Sequence, residues 1–387
     1  MRTLTTFGAA AVIGLAALTG CGSDDDGGSS NGGGGGTAGS DVTAENVQYA
    51  KDQITKFSAV PKFESDAEPI DVSSLEGQTV YSIPITTSIP FYKDGEAAMS
   101  AAAKKAGVKY VTYPSQGKVS DFQQGFSDAI NAKAKVIILN GPLPDTLQPQ
   151  IRQAKAAGIK IIAAHEEDTT SPTPQGVDAV AAGEFYNAAR LMVDKAIADQ
   201  NGKPVKALAI SSDETRPSKG MVAAMKDELS KRCGSSCSLT VTNVPVADWA
   251  TKIQPQVQSE LNRADDINTI LPIYDSMAQY TDPAIRQAAR GREVNVYSFN
   301  GTPSINALMQ KGGSNLKMNV GESPTLIGLL TMDQAFRLML DKEPLDKPAA
   351  PIRVFTPENV DEAGNPPVSG QGFGDVDAGY DTLWGLK

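Results

Sequence analysis

Side chains able to do covalent or metal chemistry are scarce in this sequence. Its 387 residues include one histidine, His165, and three cysteines, Cys21, Cys233 and Cys237, too few for a zinc finger, a His-rich metal site or a disulfide-rich scaffold. His165 opens the run His165-Glu166-Glu167-Asp168. From residue 41 onward the chain contains no Gly-x-Ser-x-Gly, His-Glu-x-x-His, P-loop or Gly-x-Gly-x-x-Gly pattern that would give it a nucleophile, a metal or a phosphate cradle. Glu166 and Glu322 could serve a carboxylate-pair hydrolase, but nothing else supports that chemistry. The sequence therefore reads as a non-enzyme with no catalytic residue, no metal and no cofactor. It does supply a mixture of rings and hydrogen-bonding groups: Phe91, Tyr92, Asn140, His165, Glu166, Arg216, Trp249, Tyr274 and Asn300. Such a mixture suits a small polar molecule with apolar faces, stacked on rings and gripped at its hydroxyls.

The elements that must position these groups follow one pattern. Apolar runs of β type, Val80 to Ile85, Val108 to Tyr113, Val136 to Leu139 and Ile159 to Ala164, alternate with helix-type segments, the pattern of βαβ units on a parallel sheet. Gly95, Ala98, Met99, Ala102 and Ala106 share one helical face, with Lys104 and Lys105 in the last turn and Gly107 as the stop. The pattern then restarts with Val205 to Ile210, Leu239 to Val244, Ile267 to Leu271 and Val294 to Phe299, separated by helices near 221–231, 252–262 and 276–290. These are too many strands for one comfortable sheet. The expected fold class is α/β with two similar lobes. In open parallel sheets, ligand groups gather beyond the C-terminal ends of strands, and the rings and polar groups named above fall in those loops. Glu167 and Asp168 are expected to face solvent.

Charge narrows the partners. The sequence has 35 Lys and Arg against 45 Asp and Glu, a formal net charge of −10, which repels polyanions and argues against nucleic acid. Cys233 and Cys237, separated by Gly-Ser-Ser, read as a local disulfide if the chain is exported. They lie at the end of a helix beginning near Arg216, whereas redox-active pairs usually sit at a helix N-terminus.

The N-terminus points to export. Met1-Arg2 is followed by a short apolar run from Phe7 to Leu18, the form of a signal segment rather than a membrane span. Leu18-Thr19-Gly20-Cys21 resembles the bacterial lipoprotein lipobox, which implies lipid attachment at Cys21. Gly22 to Ser40 is almost wholly Gly, Ser, Asp and Asn and reads as a flexible tether. Val42 to Ser58 looks like an amphipathic helix, and Pro61 to Gly77 like an irregular strap.

Several segments taken in order, Pro90-Phe91-Tyr92, Ser115-Gln116, Ile138-Leu139-Asn140, Ala247-Asp248-Trp249, Asp275-Ser276-Met277-Ala278, Phe299-Asn300-Gly301-Thr302-Pro303 and Glu322-Ser323-Pro324, resemble the type I periplasmic sugar-binding proteins typified by ribose-binding protein, over roughly 79–340. The resemblance implies two Rossmann-like lobes with parallel sheets, joined by a hinge that closes on ligand. Carried over by position, it assigns Phe91 and Tyr92 to an aromatic pair of the first lobe and Trp249 to the ring that closes from the second. Asn140, Arg216, Asn300 and Glu322 become polar ligand contacts. His165 and Glu166 stand where ribose-type members carry an Asp-Arg pair, and Tyr274 replaces an amide, so a polyol, a cyclitol or an amine-bearing compound competes with a pentose. For Arg216 the alternative is pairing with a neighbouring carboxylate, for Phe91, Tyr92 and Trp249 it is packing, and for His165 it is a plain loop role.

The organisation expected is then a signal peptide at 1–20, a tether at 21–41, a helix and strap at 42–78, a first lobe at 79–183 plus 323–341, and a second lobe at 184–322 plus 342–387. The chain should cross between lobes near Gly183-Glu184, Glu322 and Asp341. The expected role is that of a monomeric, exported bacterial lipoprotein on the outer face of the cytoplasmic membrane, delivering a small hydroxylated ligand to an ABC permease. The alternative is a receptor subunit presenting ligand to a membrane sensor.

Overall fold

The structure, a computed structural model, describes residues 42–62, 65, 67–374 and 377–386. Cys21 and the signal and tether segments lie outside the described residues. Helix α1 (Ala44–Ser58) comes first, capped by the Thr43 hydroxyl, which accepts the Asn46 N–H. The first lobe then runs β1 (Thr79–Pro84), α2 (Pro90–Lys105), β2 (Lys109–Thr112), α3 (Val119–Asn131), β3 (Val136–Asn140), α4 (Gln148–Ala156), β4 (Lys160–Asp168) and β5 (Ala179–Gly183). Its five strands are all parallel, in the order β2-β1-β3-β4-β5. The second lobe follows as α5 (Phe185–Gln200), β6 (Lys206–Ser211), α6 (Arg216–Cys233), β7 (Ser238–Asn243), α7 (Trp249–Arg263), β8 (Thr269–Pro272), α8 (Asp275–Ala278), α9 (Thr281–Ala288), β9 (Asn295–Asn300), α10 (Pro303–Lys311) and β10 (Leu316–Gly321). Last come α11 (Pro324–Met339), β11 (Arg353–Phe355) and α12 (Asp377–Leu383). The second sheet has the order β11-β10-β9-β8-β6-β7, with β11 antiparallel.

The eight strands expected from apolar runs are all present, and the α/β fold with two mostly parallel sheets is as the sequence indicates. Central strands are apolar throughout because both faces are covered. In β3, Val136 and Ile138 pack on one side, and Ile137 and Leu139 on the other. Strand β5 escapes sequence reading because Ala-Val-Ala-Ala-Gly has neither the bulk nor the branching of a typical strand. The expected helix over 276–290 is two helices, α8 and α9, broken between Ala278 and Thr281.

The chain passes from β5 to α5 at Glu184 and from β10 to α11 at Glu322 and Ser323. Helix α11 packs along α2 and against β4 and β5, so it belongs to the first lobe. A linker then runs beside β5, where the Ala182 N–H donates to the Pro348 carbonyl at 2.8 Å, before β11 joins the second sheet. The tail was expected to stay with the second lobe and instead returns to the first. Trp384 is fully buried, stacks edge-on against Phe336 of α11 and donates its indole N–H to Asp333 at 2.9 Å. The physical reason is burial: Tyr380, Leu383 and Trp384 remove their apolar surface from water against α11.

Candidate functional site

The first lobe supplies its groups from the start of α2 and the end of β4. Pro90 at the first helical turn fixes the entry of α2 and places Phe91 and Tyr92, both half-buried, at the C-terminal edge of the sheet. Strand β4 is irregular there: Ala164 pairs with Ala181 and Asp168 with Gly183, so β4 takes four steps where β5 takes two. His165 occupies the bulge with a left-handed φ of 58°. A bulge re-aims side chains that strand alternation would otherwise bury. His165 stacks against Phe91, ring centroids 4.8 Å apart, and its Nε2–H donates to Glu322 Oε1 at 2.8 Å. Burial alone would favour the neutral imidazole, but the Glu322 carboxylate overrides it and raises the His165 pKa. Glu166 is also shifted upward, which in a carboxyl favours the neutral form. Burial pushes its carboxyl from the ordinary 4.5 up to about 8, against the pull of His165 and Arg216, and it is hydrogen-bonded to the Tyr92 hydroxyl.

The second lobe presents a facing set. Trp249 opens α7, and its indole N–H donates to the Ser212 hydroxyl at 2.8 Å and the Val244 carbonyl at 3.1 Å, which holds the ring in one orientation. Its centroid lies 5.9 Å from that of Tyr274 at an interplanar angle of 36°. The Tyr274 hydroxyl donates to Thr215 Oγ1 at 3.0 Å. Asn300, at a φ of 133°, donates its amide to Glu322 Oε1 at 3.0 Å. Asp275 is buried behind this layer, where it accepts the Thr302 N–H at 2.6 Å and an Asn319 amide at 3.0 Å, fixing the 300–303 turn.

Phe91, Tyr92, His165 and Glu166 of the first lobe, Trp249, Tyr274 and Asn300 of the second, and Glu322 between the lobes thus converge. Tyr92 and Tyr274 both lie within electrostatic reach of Glu166 and Glu322, which raise their hydroxyl pKa values beyond what burial does. Two expected members are engaged elsewhere. Asn140 is buried and donates its amide to Glu96 Oε1 at 2.9 Å, because alternation along β3 turns residue 140 to the α2 side. Arg216 lies at the first turn of α6, with Nη2 2.6 Å from Asp145 Oδ2 and Nε 2.9 Å from Glu167 Oε1. That second approach lacks the alignment of a hydrogen bond. Glu167 and Asp168, expected in solvent, are both buried. Asp168 accepts the Thr170 N–H and the Tyr186 N–H, both at 2.9 Å, thereby capping α5.

Sequence reasoning missed Glu96, Asp145 and Ser212. Glu96 gathers four donors, Ser82, Asn140, Tyr110 and Thr112, at 2.8 to 2.9 Å. It lies one turn after Tyr92 on the face carrying Met99 and Ala103, and that apolar helical face was the signal available for its burial. Glu322 spends Oε1 on His165 and Asn300, which leaves it ill suited to act as a hydrolase carboxylate. Cys233 and Cys237 are bonded, and the Cys237 sulfur accepts the Val205 N–H at 3.0 Å. Among the described residues no group of three His, Cys, Asp or Glu is placed to hold a metal ion, and no helix is long and apolar enough to cross a membrane. A cavity of about 490 Å³ lies away from the rings, between α11, the 345–351 linker and Tyr380. Apolar groups make up most of its lining, with Lys62, Ser65, Asp333 and Asp346 among them, and the Asp333 carboxylate is already taken by Arg337 and Trp384.

Comparison with known proteins gives a consistent picture. Residues 80–343 match the family model described as periplasmic binding protein domain. No curated protein matches the chain. Among solved structures, an ABC sugar transporter subunit from Rhodobacter sphaeroides is 19% identical with a TM-score of 0.63, over 74% of this chain and 100% of that one. A 5-methylthioribose transporter solute binding protein from Thermotoga lettingae, in complex with 5-methylthioribose, is 16% identical with a TM-score of 0.65, over 82% and 99%. An ABC transporter solute binding protein from Bacillus halodurans with bound myo-inositol is 17% identical with a TM-score of 0.63, over 76% and 99%.

Proposed function

Because this chain belongs to the periplasmic binding protein family, one of binding proteins rather than enzymes, we propose that it captures a small hydroxylated ligand, a sugar, polyol or cyclitol, between its two lobes and passes it to an ABC importer. The observation that carries this is the convergence of Phe91 and Tyr92 from one lobe with Trp249 and Tyr274 from the other around Glu166, His165 and Asn300. Rings stack on the C–H faces of a polyhydroxylated molecule while polar groups take its hydroxyls. Glu166, held protonated near neutrality, donates to a ligand oxygen, whereas Asn300 both donates and accepts. Contacts from both lobes favour the closed arrangement over the open one. The hydroxylated ligands in the similar solved structures support the ligand class. The lipobox at Leu18 to Cys21 supports an exported lipoprotein held at the outer face of the cytoplasmic membrane.

The test is thermal unfolding against pentoses, hexoses, polyols, cyclitols, amino acids and amines. A ligand at about a thousand times its dissociation constant stabilises by about 4 kcal/mol, a readily measured rise in Tm. Hits among sugars, polyols or cyclitols are expected, and Trp249→Ala should weaken them by at least about tenfold while leaving a cooperative melt. Hits confined to amino acids or amines would overturn the proposed ligand class.

A further inference from the structure

Arg216 and its two carboxylates belong to different lobes. Arg216 and Pro217 form the first turn of α6, a second-lobe helix whose start is fixed by the Thr215 carbonyl and by the bond between Thr215 and Tyr274. Asp145 lies in the 3-10 turn after β3, and Glu167 lies on β4, both in the first lobe. The two approaches, 2.6 Å to Asp145 and 2.9 Å to Glu167, therefore join the two lobes directly.

The pairs differ in setting. The Asp145 side chain is 62% exposed, whereas that of Glu167 is 2% exposed, with Arg216 between them at 28%. An exposed pair of this kind is weak and salt-screened. Glu167 is different, since a carboxylate buried without a counter-charge is strongly disfavoured, and Arg216 of the facing lobe is the cation beside it. Burial pushes the Glu167 carboxyl up and Arg216 pulls it back.

From this we propose that Asp145, Arg216 and Glu167 form a clasp that draws the lobes together before ligand arrives, with Arg216 a closure residue rather than a ligand grip. The clasp rests on the two-lobe binding reading for its hinge, yet its test needs no ligand. Its consequence for binding is specific. Affinity for every ligand is scaled by the same closed-state population, whereas an arginine that gripped hydroxyls would discriminate among hydroxyl patterns.

Small-angle X-ray scattering of the ligand-free protein tests it, with circular dichroism confirming the fold. The wild type should be compact at low ionic strength and expand as salt is raised to about 0.5 M, where the Debye length falls to a few ångströms. Arg216→Gln should raise the open-to-closed ratio by about tenfold already at low salt. Asp145→Asn, at an exposed position with little risk to folding, should shift it the same way by less. Identical scattering of wild type and both variants at every salt concentration would overturn the clasp. So would a loss of affinity in Arg216→Gln confined to some ligands of a series. Because scattering is read without ligand, a failed ligand screen would count against the binding reading and leave the clasp to be judged separately.

Discussion

His165 and Asn300 both adopt positive φ, and both donate to the same oxygen of Glu322. Backbone conformations of this kind cost free energy and persist where their surroundings hold them. Here what holds them is a buried carboxylate between the lobes. Glu166 lies one residue from His165 and carries a consequence for stability. Its folded-state pKa, about 8 against 4.5, is raised, so the folded protein keeps a proton that the unfolded chain releases, and stability falls as pH rises from about 4.5 to about 8. Glu166→Gln removes that loss. The variant should therefore melt with a flatter pH profile across this window and at a higher temperature than the wild type near pH 8, as measured by thermal unfolding across pH 5 to 8.5. A variant that melts no higher than the wild type near pH 8 would show that burial does not hold the carboxyl protonated.

At the scale of elements, the crossing of α2 and α11 governs where Phe91 and Tyr92 lie. The two helices approach so closely at Gly328 that a Cβ there would sit 2.8 Å from the Gly95 carbonyl oxygen and 2.9 Å from the Ala98 Cβ. Backbone cannot yield as the tip of a flexible side chain can, so Gly328→Ala should cost about 1–3 kcal/mol and displace α2 outward. Urea denaturation should show the lowered midpoint, and ligand affinity should fall with it because the first-lobe rings move. An unchanged midpoint would mean that the helices separate at little cost. The β4 bulge acts at the same scale. Without its extra residues, His165 and Glu166 would follow strand alternation, and one of them would enter the sheet face.

For the whole molecule, the question is how two lobes and an N-terminal attachment are tied together. Helix α1 packs on α5 of the second lobe, and the Val42 N–H donates to the Gly202 carbonyl at 2.8 Å, at the end of that lobe where α5 finishes. Strand C-termini, and with them the ligand groups, lie at the opposite end. If Cys21 carries lipid, as proposed, Cys21→Ser should move the protein from the membrane fraction to the soluble fraction without changing its melting temperature. Fractionation of cells expressing the variant decides this, and an unchanged membrane fraction would defeat the anchor.

Periodicity in the chain already carries the α/β class, the doubling into two lobes and eight of the eleven strands found among the described residues, because burial on both faces writes itself into continuous apolar runs. It also indicated which loops carry rings. It did not determine which way a polar side chain at a strand end would turn, nor which charges would meet across the cleft. Asn140 faces Glu96, Glu167 lies buried under Arg216, and Trp384 crosses back to the first lobe. Each of these outcomes depends on partners distant in the chain, and on a desolvation cost that exists only once tertiary packing has removed the water.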